Sequence, residues 1–286
     1  MSLLKAVQAD RNEPTNGEND RPLLAGRFNL PDDPEKFRLT LVEHLEELRT
    51  RIVRSLLIIC AGWVAGWFLE PMVFGWLSNL VITNIQQVVH NPDKIKIIWD
   101  SFTEMFMMKI RLSFMIGLIP GLPLAIMQMW GFVKPGLKPK ERQPIERVAP
   151  FSIFLFAMGV GFAIAILGPC TRWFASYLED FPNTVIYQRP DVLVTFAMKM
   201  MIAFGLGFQL PLVVWALGAI GLLSAETLVK YWRHAAVGIF FLAAAFTPSN
   251  DAFSMLMMAV PMVVLFMISV WAVKITQSKR AKIVDE

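Results

Sequence analysis

Cysteine occurs only twice in the 286 residues, at Cys60 and Cys170, each inside an apolar run. Two such positions leave no material for a disulfide framework, a CxxC redox pair or a cysteine-built zinc site. Histidine occurs three times, at His44, His90 and His234, in three different segments. The chain also has no HExxH, no GxSxG, no P-loop and no dinucleotide fingerprint. A nucleophile paired with a base, or a metal-ligand cluster, is what an enzyme of this size needs, and neither is legible. No enzyme, no cofactor, no metal and no nucleic-acid partner is expected.

Charge is scarce too: Asp, Glu, Lys and Arg make up 17% of residues, against about 25% in soluble domains. What fills the space is apolar, at 55% of the chain. A membrane protein of several spans fits this composition better than one or two soluble domains. The first 37 residues are rich in Asn, Asp, Glu, Pro and Gly and lack a continuous apolar stretch before a small-residue cleavage site. They read as a disordered cytoplasmic tail, not a removable signal peptide.

Six apolar segments follow, at roughly 52–69, 110–131, 149–169, 192–222, 234–246 and 252–273. A hydrocarbon core of about 30 Å needs about 20 helical residues. The first four segments and the last meet that length; the fifth is short. Because Thr247 to Asp251 reads as a tight turn, segments five and six are expected to form a short helical hairpin. Shallow spans of this kind are accommodated by snorkelling flanks or local thinning of the bilayer. The external stretch 71–104 contains "FGWLSNLVITNIQQVV", which resembles an amphipathic helix at the outer surface.

Lysine and arginine placement sets orientation. With the N-terminus inside, 20 of the 27 cations fall on the inner side and 7 on the outer or within spans. Both ends are therefore expected in the cytoplasm.

Polar groups at membrane depth are expensive and are functional candidates by default. Lys199 lies about two turns into the fourth span, within snorkelling reach of the interface. Gln209 sits near mid-span, two residues before Pro211, which removes a helix hydrogen bond and kinks the chain. It either bonds a neighbouring helix or serves a ligand. Pro120, Pro123 and Pro261 suggest further kinks. Asp251 follows the turn at Thr247 and is well suited to cap the last helix, with Ser254 three residues on.

The stretch "LVEHLEELRTRIVRSLL" (41–57) puts a charge cluster against the first span. Leu41, Leu45, Leu48 and Ile52 recur at helical spacing, with His44, Glu47, Arg51 and Arg54 on an adjoining face. A second inner cluster, "KPGLKPKERQPIER", holds Glu141, Arg142, Glu146 and Arg147. Solvated helix faces are one reading of both. The other is a binding patch, since two acids on a basic inner face suit the guanidinium groups of a visiting peptide.

"HLEELRTR" resembles the N-terminal signature of the TatC family of twin-arginine translocase proteins. Further similarities follow in order: "FTEMFMMKIRLSF" (102–114), "QMWGFVKPGLKPKER" (128–142), "FGLGFQLP" (204–211) and "TPSNDAFSMLMMAVPM" (247–262). The resemblance covers about residues 38–275. It implies an all-α polytopic fold of six transmembrane helices in a concave arrangement, between the N-terminal tail and a cytoplasmic tail at 276–286. It implies a receptor in the bacterial cytoplasmic (inner) membrane that binds twin-arginine signal peptides of folded cargo. Partners would be single-span TatA- and TatB-type subunits near helices five and six, further copies of the chain, and membrane lipid. Export would be driven by the proton gradient without nucleotide hydrolysis. By position, Glu47 and Glu141 would receive the signal's arginines, with His44, Glu46, Arg49 and Arg142 shaping the patch. Gln209, Thr247 and Asp251 would be intramembrane or partner-binding polar groups. The chain departs from the family where it has Gln209 in place of a frequent Glu, and Met267 in place of a frequent acid. The alternative readings are a small-solute transporter or channel built on Lys199 and Gln209, and a purely structural membrane anchor.

Overall fold

The computed structural model describes residues 34–89, 95–134, 139–181, 185–247 and 251–284. Most of the expected N-terminal tail lies outside the described residues, as do Pro248, Ser249 and Asn250 of the expected turn. Eight α-helices are present among the described residues. They are α1 Pro34–Gln86, α2 Phe102–Val133, α3 Pro139–Ser176, α4 Pro190–Gly207, α5 Leu210–Ala219, α6 Ala225–Lys230, α7 Trp232–Phe246 and α8 Ala252–Val284. Two three-residue strands, β1 Ile95–Ile97 and β2 Ile186–Gln188, pair in parallel. The chain divides into two compact units, Met1–Leu48 and Arg49–Glu286. The described part of the first is the opening of α1; everything below concerns the second unless stated.

Five helical stretches are long and apolar enough to cross a bilayer, and the 15-residue α7 is the shorter sixth apolar helix. α7 packs along α8, as the expected hairpin requires. Its 15 residues rise only about 22 Å, short of the hydrocarbon thickness.

α4 and α5 form the middle of the unit. Of their apolar stretch, 61% is buried by protein, against 6% for that of α1, most of whose surface is left for lipid. Met198, Phe204 and Phe208 lie in one apolar cluster, with the Phe162 ring of α3 at 5.6 Å from both Phe204 and Phe208.

The fourth apolar segment is not one helix. It breaks at Phe208 and Gln209, just before Pro211, because proline cannot donate the next backbone bond. α5 then stops at Ala219, short of the expected 222. Gly221 adopts a left-handed φ of +83° there, Leu222 N–H donates to Leu217 O, and Gly221 N–H donates to Gly218 O. This pair of bonds satisfies the last carbonyls of the helix and needs glycine at the left-handed position.

Two further differences concern helix length. α1 does not stop near residue 69 but runs through Pro71 to Gln86, burying Leu77 and Val81. The amphipathic part of the segment 71–104 is thus a continuation of the first helix. α8 runs past residue 275 to Val284. Near its end Gln277 donates to the carbonyls of Gly218 and Leu223 and accepts from Ala225 N–H, while Thr276 accepts from Trp215 Nε1. These bonds give residues just beyond the span a helical role.

Small residues set the α1–α2 crossing. Gly62 and Gly66 face Ser113 and Gly117, so closely that a Cβ on Gly62 would stand 2.8 Å from the Gly117 carbonyl oxygen. Trp63 and Phe114 meet edge to face beside it at 5.7 Å, and the Lys109 ammonium lies 4.8 Å from the Trp67 ring. Close backbone approach through small residues four apart is a common way for helices to associate in lipid, where apolar side chains gain nothing by leaving the solvent.

Candidate functional site

The expected peptide-binding residues fall on α1 and in the first turn of α3. In the first unit, His44 and Glu47 lie one turn apart on α1, with His44 Nδ1 3.9 Å from Glu47 Oε2. Both side chains keep about a third or more of their surface open, and Glu46 is exposed beside them. In the second unit, Arg49 is exposed, and the Arg51 guanidinium lies over Gly131 of α2, where no side chain obstructs it. Glu141 and Arg142 fall in the first turn of α3; their side chains lie outside the described residues. Close by, Lys134 at the end of α2 pairs with Glu146 of α3 at 2.5 Å. A carboxylate at the opening turn of a helix is favoured by the exposed N–H groups and the dipole there.

The three intramembrane candidates are each engaged within the protein. Gln209 is buried and makes a reciprocal pair with Ser152 of α3: its Oε1 accepts from Ser152 Oγ at 2.7 Å and its Nε2 donates to Ser152 O at 3.0 Å. Ser152 carried no sequence signal, since one serine in an apolar run has many uses. The pair occupies the amide that a midplane solute site would need. We expect Gln209→Leu to cost about 1–2 kcal/mol, because the buried Ser152 hydroxyl loses its partner. The double variant Ser152→Ala, Gln209→Leu should recover most of that loss. Chemical denaturation in detergent, compared across wild type and the two variants, checks both.

Thr247 closes α7, its Oγ1 donating to Ala243 O at 2.9 Å and sharing with Ala244 O at 3.2 Å. Asp251 caps α8 as its position suggested, with Oδ1 accepting from Ser254 N–H at 2.7 Å. Ser254 is buried, and its Oγ lies 3.6 Å from Cys170 Sγ of α3.

A second polar cluster stands at the strand end of α2 and α4. Arg189 binds Asp100 at 2.7 Å, takes Asp191 with Nε at 3.3 Å and Nη2 at 3.1 Å, and also pairs with Glu104. Asp191 is buried. Ser101 caps α2 by accepting from Glu104 N–H, and the Glu104 carboxylate accepts from Asp100 N–H. The Ser-x-x-Glu spacing in "DSFTE" is the pattern of a helix start, whereas the arginine that completes the cluster lies about 85 residues away, beyond the reach of any local pattern. Nearby, Arg172 of α3 donates to Asn84 and Gln87 at the far end of α1. Among the described residues, no group of three or more His, Cys, Asp and Glu is arranged to hold a metal ion.

The model of the family described as Sec-independent protein translocase protein (TatC) matches residues 43–261 of this chain. The chain belongs to the TatC family. It is 34% identical over 242 residues to the Sec-independent protein translocase protein TatC of Carboxydothermus hydrogenoformans, covering 84% of this chain and 95% of that one. It is 29% identical to the chloroplastic TATC protein of Arabidopsis thaliana, over 89% of this chain and 71% of the relative. Among solved structures, a crystal structure of the twin-arginine translocase receptor TatC in DDM superposes with a TM-score of 0.68 at 26% identity. That match covers 80% of this chain and 98% of the crystallised one. This TatC-family chain is accordingly an integral membrane protein of a protein translocase, with several apolar helices.

Proposed function

We propose that this chain is the receptor and core subunit of a twin-arginine translocase in a bacterial cytoplasmic membrane. It has six spans, the short α7 being the fifth, and both termini are in the cytoplasm. The match to the TatC model over residues 43–261 carries the reading, because it takes in both charged clusters together with the spans. The cation asymmetry between inner and outer segments supports the orientation. In domain terms, 1–37 is a cytoplasmic tail, 38–275 the membrane domain and 276–286 a cytoplasmic extension.

Glu47 and Glu141 each take an arginine of the signal peptide of a folded cargo. A carboxylate offers two acceptor oxygens to the planar fork of a guanidinium, which lysine cannot match. His44, Glu46, Arg49 and Arg142 shape the charge around the two acids. The apolar part of the signal then lies against the helices. TatA- and TatB-type single-span subunits and further copies of the chain assemble around α7 and α8, with Gln209, Thr247 and Asp251 as the polar groups of that region. The proton gradient drives export.

The test is crosslinking of photoreactive signal peptides to the chain in membranes, with twin-arginine and twin-lysine signals compared. Crosslinks to wild type that require arginine, and fall at least about tenfold in Glu47→Ala and in Glu141→Ala, are expected from the loss of a charge-assisted pair. Crosslinks indifferent to the arginines and to both acids would sink the assignment.

A further inference from the structure

A recess of about 570 Å³ opens between α2, α3 and α4 near the strands. Its volume lies in the range of about 300–1,000 Å³ that holds small ligands. Most of the lining is apolar and aromatic, including Phe174, Leu178 and Phe196, yet two cations, Arg111 and Lys199, border it. Among the described residues neither side chain has a salt bridge or a hydrogen bond.

Their level in the membrane follows from the topology. β1 and β2 run in parallel register, and α2 and α4 leave them in the same sense from Phe102 and Pro190. Arg111 and Lys199 are each the tenth residue of their helix, so both lie about 13 Å down from the helix start. α2 has 32 residues, and α4 with α5 forms a 30-residue stretch. Each exceeds the roughly 20 residues that fill the hydrocarbon core. With such a core centred on each stretch, both Cα atoms lie about one turn inside its boundary, and their long side chains reach back to the level of the lipid phosphates. Among the described residues the one acid on the recess is Asp191, and it is already held by the Arg189 fork. The other carboxylates of that cluster, Asp100 and Glu104, do not border it.

We propose that this recess is a binding site for one anionic phospholipid of the leaflet at the strand end. Its phosphodiester, with no headgroup cation to offset its charge, is held by Arg111 and Lys199, and an acyl chain lies along Phe174 and Phe196. Unpaired cations at membrane depth are costly unless an anion accompanies them, and basic pockets between helices select anionic headgroups. A lipid accounts for both the charges and the apolar wall, whereas free phosphate accounts only for the charges.

Native mass spectrometry of the full chain released from detergent, titrated with phosphatidylglycerol or phosphatidylcholine, reads the preference. Wild type is expected to favour phosphatidylglycerol about thirtyfold, the effect of two cations near a surface. The preference should collapse in Arg111→Gln, Lys199→Gln. It should persist in the charge-preserving Arg111→Lys, Lys199→Arg and in Lys230→Gln, whose cation lies elsewhere. Equal binding of the two lipids by wild type, or a preference that survives the double neutralisation, would overturn the proposal. So would displacement of the lipid by millimolar inorganic phosphate. A second measurement needs no variant: phosphatidylglycerol with a photoreactive acyl chain should label Phe174 and Phe196 in wild type. Labels spread evenly over the helices would count against the site. So would labels at those positions from the apolar part of a signal peptide and none from lipid.

Discussion

Replacing Gly66 by leucine is expected to break the α1–α2 crossing. A side chain there meets the backbone of Ser113, which no rotamer change can move. Gly117 faces the Gly62 backbone with equally little room, so parting the helices at one point loosens the whole seam. The loss should reach about 3 kcal/mol or more, the upper range for overpacking. In a thermal melt in detergent that corresponds to a drop of roughly 5 °C or more for a chain of this length. Gly75→Leu is the control, since it lies on the same helix with nothing within 4 Å of its Cβ position. That variant should stay within about 1 kcal/mol of wild type and gain a little helix propensity. Equal melting of the two variants would show that the crossing contributes little.

The second large effect is expected at Arg189. Its guanidinium is the shared partner of Asp100, Glu104 and Asp191. Asp191 is only 8% exposed, so Arg189→Met leaves a buried carboxylate without its ion pair. Removing one partner of such a pair costs about 3–5 kcal/mol, while the exposed Asp100 contact adds less than about 1 kcal/mol. Arg189→Met, Asp191→Asn should be more stable than Arg189→Met alone, by about 1–2 kcal/mol, because the stranded charge is gone. Arg172→Met is a useful comparison, its partners Asn84 and Gln87 being neutral. It should lose only about 1 kcal/mol. Unfolding in denaturant across the four proteins distinguishes charge stranding from simple loss of contacts.

Much of this architecture is legible locally. Apolar length marks α2, α3 and α8. Pro211 marks the interruption of the fourth segment, and Asp251 with Ser254 marks the start of α8, because each acts through backbone groups within four residues of itself. What escaped reading is non-local or masked by a stronger rule. Pro71, with Asn79, Asn84 and Gln86 beyond it, reads as the exit from a span, yet α1 continues because Leu77 and Val81 find apolar partners elsewhere in the fold. Gln209 announces itself as a buried amide but not which helix answers it, since Ser152 lies 57 residues earlier. β1 and β2 are three residues each, too short for any periodicity to register. The family resemblance supplied roles for Glu47 and Glu141 that residue chemistry alone left balanced between a solvated face and a patch.

The short parallel ladder has a consequence for the order of events at the ribosome. Ile95 must wait for Ile186, about ninety residues later, before it has a partner. At about 5–20 residues per second that is an interval of several to nearly twenty seconds. During it α2 and α3 are added to α1, while the start of α2 carries Asp100 and Glu104 without the cation that later joins them. Arg189 arrives directly after β2, so strand pairing and charge neutralisation happen in one late step. The strand end of the molecule is thus a clasp that shuts only when the start of the fourth helix has been made.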